Sequence, residues 1–102
     1  MNKIKREYIY TVTGAEDPLD ARSSTRCFGW FPILREAQDA VECNRCDLRE
    51  YTYDYMVIEQ FYPGIFCECT QEFWYKWNYK KEKFISIDKP EAVRDVVNWG
   101  IG

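Results

Sequence analysis

The reactive side chains of this chain are five cysteines, 17 acidic residues, 14 basic residues and no histidine. Without histidine, Ser-His and Cys-His nucleophilic pairs, imidazole metal ligands and the commonest general base at neutral pH are all excluded. Cys43-x2-Cys46 and Cys67-x-Cys69 offer four thiolates, a set that would suit tetrahedral zinc. A turn at Pro63 and Gly64 argues against that site, because the returning strand would leave Cys67 and Cys69 about 33 Å of extended chain from Cys46. The Cys43 and Cys46 pair follows a helical pattern rather than opening one, so no helix N-terminus lowers a thiol pKa, and Arg45 adds little. Free thiols are expected, with no metal and no cofactor. Asp17, Asp20, Asp54 and Asp88 have no spacing that brings two carboxylates together, and the glycine patterns that cradle phosphates are missing. The residues read as those of a non-enzyme.

What remains is recognition chemistry, and it is aromatic. Residues 73–84, FWYKWNYKKEKF, hold six rings and four lysines in a chain that is 18% aromatic. Strand alternation puts Phe73, Tyr75, Trp77 and Tyr79 on one face and Trp74, Lys76 and Asn78 on the other. Residues 51–58 alternate in the same way, with Tyr51, Tyr53, Tyr55 and Val57 against Thr52, Asp54, Met56 and Ile58. Tyrosine is the more polar set, so Met56 and Ile58 are assigned to a covered core and the tyrosines to an open face. Tyr53, Tyr55, Tyr75, Trp77 and Tyr79, edged by Lys76, Lys80 and Lys81, then form an expected partner-binding surface, since such rings dominate interface hot spots. Asp17 and Asp20, in a long connection over 14–24, are expected to join it. The competing explanation is structural, because cross-strand aromatic pairs themselves stabilise a sheet by about 0.2–1 kcal/mol each. Arg26 beside Trp30, around Gly29, is a second candidate: the pair could stack on a base and hold a phosphate of a small nucleotide.

The elements that must position these residues follow from pattern. Residues 8–13 and 25–32 read as strands, the second stopped by Pro32 and able to bulge at Gly29. Residues 33–44 carry Leu34, Ala37, Ala40 and Val41 at helical spacing, with Ile33 where a capping side chain would be expected. Residues 48–61 read as one long strand, 65–69 as a short one, and 71–78 with 82–87 as a hairpin. Asp88, Pro90 and Glu91 resemble the start of a capped helix over 90–102. The expected order is β-β-α-β-β-β-β-α, an α+β single domain over 1–102 with an antiparallel sheet of five or six strands and two short helices on one face. Helices of about ten residues span roughly 15 Å, enough to roof one face and not both.

The net charge of -3 is spread without like-charged blocks, which disfavours duplex DNA as a partner. No run approaches the length of a membrane span, and residues 1–12 lack the apolar stretch of a secretory signal, so a cytoplasmic location is expected. RCFGWFPILREAQDAVE, YMVIE, EFWYKWN and VVNWGIG together make the chain resemble a group of short proteins from Gram-positive gut bacteria, their phages and mobile elements. That resemblance implies a compact α+β domain and, by genomic setting, an inhibitor of a bacterial defence system of the anti-CRISPR kind. It also implies a host protein as partner, such as an RNA-guided nuclease, and the cytoplasm of the bacterial host as location. Two alternatives stand beside it: a protein that sequesters a small cyclic nucleotide, and a homodimer that buries an aromatic sheet face.

Overall fold

A computed structural model describes residues 7–18, 24–65 and 67–100. Five strands form one antiparallel sheet in the order β2-β1-β3-β4-β5: β1 Ile9–Ala15, β2 Thr25–Phe31, β3 Tyr55–Phe61, β4 Cys69–Asn78 and β5 Lys83–Ile87. Among the described residues one helix, α1 Leu34–Glu42, crosses one face, and 3-10 turns occupy Arg45–Asp47 and Glu91–Val93. The fold is α+β, and of the five or six strands expected the described residues hold five. The expected short strand over 65–69 is absent among its described residues except where Cys69 opens β4.

Helix α1 forms on its apolar spacing alone. Ile33 gives no side-chain cap, while Ala37, Ala40 and Val41 are buried and Leu34 packs beside them. Its outer face is stitched by Arg35, which donates to Asp39 (2.9 Å) and Glu42 (2.5 Å). Beneath it lie Val12, Met56, Ile58, Tyr75 and Phe84, so Met56 and Ile58 sit where their apolarity predicts. Gly29 permits the anticipated bulge: Thr13 pairs with Cys27 and Val12 with Gly29, leaving Phe28 unmatched and pressed into the core.

The tyrosines depart from expectation. Tyr75 lies opposite Met56 and is only 3% exposed, under the helix. Its ring fills the core while its hydroxyl reaches the rim at Gln38, which is how an amphipathic side chain can be central without burying an unpaired polar group. Tyr53 is 8% exposed. It precedes β3, in a turn where its N–H and that of Thr52 both bond to the Arg49 carbonyl, and its ring faces Gly14 with Phe28 edge-on at 5.6 Å. A Cβ on Gly14 would stand 2.9 Å from both rings, so glycine is what lets Tyr53 close there. The period-2 run therefore begins at Tyr55, not Tyr51. Neither Tyr53 nor Tyr75 can belong to a contact surface, and Trp77, also on the helix side, is half-buried against Phe84.

The second face is roofed too, by a segment read from sequence as a helix. Beyond the Glu91–Val93 turn the described chain runs without regular structure over 94–100. Val93 and Trp99 pack on Val57 and Trp74, with the indoles of Trp74 and Trp99 edge-to-face at 5.3 Å. Glu59, fully buried, accepts the backbone N–H of Asn98 (2.8 Å) and of Gly100 (3.1 Å). Lys89 ties the segment's start, donating to Glu72 and to the Val96 carbonyl, both at 2.7 Å. An isolated helix of this length is marginal in water, and Val93, Val96 and Val97 weaken it further. Tertiary bonds to Glu59 prevail.

Burial pushes the Glu59 carboxyl above the ordinary range, and Glu72 nearby adds to that, against the two backbone donors. A carboxyl raised in the folded state favours its protonated form there. Its contribution to stability is full below the unfolded value and is lost as pH rises through the folded one. Melting temperature measured against pH for the wild type minus that for Glu59→Gln is therefore expected to fall with rising pH; a flat difference would remove the carboxyl from this role. Gly100 has its own constraint, since a Cβ there would lie 2.4 Å from the Thr13 hydroxyl and 3.2 Å from the Cys27 sulfur. Gly100→Ala is expected to destabilise the domain by about 1–3 kcal/mol in denaturant unfolding, and to speed hydrogen exchange at Asn98.

Candidate functional site

Register gathers three connections at one end of the sheet. Ala15 pairs with Thr25 and Tyr55, Tyr55 with Lys76, and Lys76 with Ile85. The end of β1, the α1–β3 connection over 43–54 and the β4–β5 turn over 79–82 therefore share one pole. Tyr55, Lys76, Tyr79, Lys80 and Lys81 are brought there, and Asp17 is exposed at the start of the β1–β2 connection. Asp20 lies outside the described residues.

The α1–β3 connection is the unusual element. Asn44, Cys46, Asp47, Glu50 and Tyr51 all have positive φ, between 46° and 57°. Non-glycine residues in this region cost on the order of 1–3 kcal/mol each and persist only where the surroundings over-determine them; Asn and Asp tolerate it best. The determinants are visible. The Asn44 side chain accepts the Arg49 N–H at 3.0 Å, the Glu50 N–H bonds to the Asp47 carbonyl at 3.1 Å, and Thr52 Oγ1 donates to the Glu50 carbonyl at 3.1 Å.

A polar triad fixes the far end. Arg49 Nη2 meets Asp54 Oδ1 at 2.8 Å and donates to the Tyr79 hydroxyl at 2.9 Å, and that hydroxyl donates to Asp54 Oδ2 at 2.7 Å. The guanidinium lies over the Trp77 and Tyr79 rings, 4.8 and 5.0 Å from their centroids. Burial, the largest single effect, would lower the Arg49 pKa, but the hydrogen bonds and charges of Asp54 and Tyr79 together outweigh it and the group is held more firmly charged. A cleft of about 380 Å³ opens beside the triad, lined by Asn44, Asp47, Tyr51, Trp77, Tyr79 and Glu82. Tyr51 is 89% exposed and Tyr79 65%.

On the other side of the connection, a groove of about 440 Å³ has an apolar floor of Val12, Phe28, Phe31, Ala40 and Leu48, with Arg45 and Glu50 at its rim. Arg26 does not join Trp30 here. Arg26 lies opposite Gly14 and Trp30 opposite Thr11, so alternation sends the two side chains to opposite faces. Arg26 is instead bound to Glu50 at 3.0 Å and lies over Phe28. The bulge at Phe28 flips the parity between positions 26 and 30, which separates what the sequence spacing puts together.

All five cysteines are free thiols. Cys69, packed near Glu59 and Glu72, is pushed up to about 12, first by burial and then by those carboxylates, so it stays a thiol at neutral pH. Glu59 and Glu72 face each other across β3 and β4, but both are engaged in holding the C-terminal segment. Among the described residues no three His, Cys, Asp or Glu side chains are grouped to hold a metal ion. Compared with known proteins, the chain matches no family model, no curated protein and no solved structure.

Sequence reasoning passed over Arg49 and Glu59. Glu59 shares the parity of Tyr55 and Val57, the face read as open, where a charge marks nothing unusual. Nothing local marks Arg49, whose partners lie five and thirty residues away. The Tyr79 hydroxyl, donating to the Asp54 carboxylate, has its pKa raised above the ordinary tyrosine value. Asp54→Asn removes that anion, and in an ultraviolet titration the tyrosine that ionises late in the wild type is expected to ionise at lower pH in the variant. An unchanged titration would mean that the bond does not persist in solution.

Proposed function

We propose that this chain is a non-enzymatic binding protein that acts by protein–protein contact through the pole built from the α1–β3 connection and the β4–β5 turn. The partner class implied by the resemblance, a component of a bacterial defence system such as an RNA-guided nuclease, makes it an inhibitor of phage or mobile-element origin working in the host cytoplasm. One observation carries the reading. Tyr51 stands 89% exposed on a connection whose five left-handed residues are held by internal hydrogen bonds.

Exposed aromatic residues cost a monomer solubility, and strained backbone costs it stability. A ring held ready on an ordered loop loses little conformational entropy on docking, so those costs return as affinity when a partner covers it. Tyr79, Trp77 and Arg49 beside it are the residue types that anchor interfaces. The surface expected from sequence is thus relocated, from the sheet face to the pole. The two other readings lack support of this kind. Arg26, Trp30 and the lysines of the β4–β5 hairpin do not surround a common space, as nucleotide capture requires, and the C-terminal segment occupies the aromatic sheet face that a homodimer would bury.

Tyr51→Ala tests the proposal, because an exposed side chain can be removed at a stability change within about 0.5 kcal/mol. Target cleavage by purified RNA-guided nucleases, titrated with each protein, is expected to show inhibition by the wild type and at least tenfold weaker inhibition by the variant. Equal potency of the two proteins would sink the role of the loop, and no effect of the wild type on any nuclease assayed would sink the partner class.

A further inference from the structure

The charge on this chain is not evenly neutralised. Among the described residues Arg26, Arg35, Arg49, Lys89 and Arg94 are each paired with a carboxylate. Lys76, Lys80, Lys81 and Lys83 form no ion pair there, and all four are exposed on one hairpin, where residues 76–87 hold one acid, Glu82. Lys76 lies over the Tyr55 ring at 5.6 Å, and the Lys80 and Lys81 backbones are pinned by the Asn78 side chain at 3.0 and 2.9 Å, which leaves their ammonium groups facing outward from a fixed turn. In a chain of net charge -3 this is a local positive field, and it borders an apolar shelf: a cleft of about 470 Å³ lined by Trp77, Tyr79, Ile85 and Ile87 between Lys76 and Lys80.

We infer that this hairpin is the docking surface for an acidic polypeptide segment of the partner, which sets carboxylates against Lys76, Lys80, Lys81 and Lys83 and an aliphatic side chain on the Ile85 and Ile87 shelf. The inference rests on the protein-binding reading and adds the chemistry of the partner. Complementary charge supplies encounter rate and register, and the shelf supplies the desolvated anchor. β5 is the outer strand of the sheet, so an extended segment can lie along it. A nucleic-acid strand is also anionic, but sequence-tolerant stacking needs bare ring faces. The Arg49 guanidinium already covers one face of both Trp77 and Tyr79, and the other lining residues between the lysines, Asn78, Ile85 and Ile87, carry no ring.

The full chain is titrated with three probes, a short capped peptide of alternating glutamate and leucine, a polyglutamate of equal charge, and an oligothymidylate of equal charge, followed by backbone amide shifts. The expected result is saturable shifts in residues 76–87 with the mixed peptide. Its affinity should fall with added salt and at least tenfold in the Lys80→Glu, Lys81→Glu double variant, and exceed that for polyglutamate unless Ile85 is changed to Ser. Shifts elsewhere, no saturation, indifference to charge reversal, or equal or tighter binding of the oligothymidylate would each overturn the inference. Peptide binding without Tyr51-dependent nuclease inhibition would fault the broader reading alone. Tyr51-dependent inhibition that survives charge reversal would fault this inference alone.

Discussion

One buried carboxylate closes this fold. Glu59 stands in the middle of β3, on the face opposite the helix, and takes two backbone N–H groups from the last described residues of the chain. The segment it holds covers the second face, with Val93 and Trp99 over Val57 and Trp74, Lys89 on Glu72, and Gly100 passing close over Thr13 and Cys27. A charge in such a place is costly unless its hydrogen-bonding capacity is met, and the chain meets it with backbone donors that a helix in the same segment would have used internally. Among the described residues, the absence of a second helix and the presence of a second roof are one fact.

The two faces differ in how well they are settled. Under α1 the core is aliphatic and aromatic, with tyrosine hydroxyls delivered to the rim. Under the C-terminal segment, the Thr11 and Thr13 hydroxyls and the Trp99 indole N–H are buried without a protein hydrogen-bond partner among the described residues. The pole that carries Tyr51 and Tyr79 belongs to the helix side and is anchored independently, by Arg49 and Asp54.

Much of the framework was legible. The first two strands, the bulge at Gly29, the uncapped helix and the inward pair Met56 and Ile58 follow from propensity and period. Three features did not. Tyr53 and Tyr75 were placed outside because tyrosine was treated as uniformly polar, whereas its ring and hydroxyl are disposed of separately in a small domain. The long strand expected from residue 48 begins at Tyr55, since five left-handed residues upstream, only two of them Asn or Asp, leave no compositional trace of a turn. The candidate helix after Asp88 has a sound local start and is overruled by a glutamate some thirty residues earlier, an interaction that no window along the chain contains. Of the candidate site, Tyr79 and the lysines were identified for their own chemistry, while the triad that holds Tyr79 depends on register and is invisible before folding.

The edge-to-face meeting of Trp74 and Trp99 has a further use. Two indoles held 5.3 Å apart at 87° are electronically coupled chromophores, one fixed in the sheet and one riding on the segment that Glu59 retains. Their joint far-ultraviolet exciton dichroism depends on that geometry and vanishes once they part, so the molecule carries a native optical gauge of whether its second face is shut.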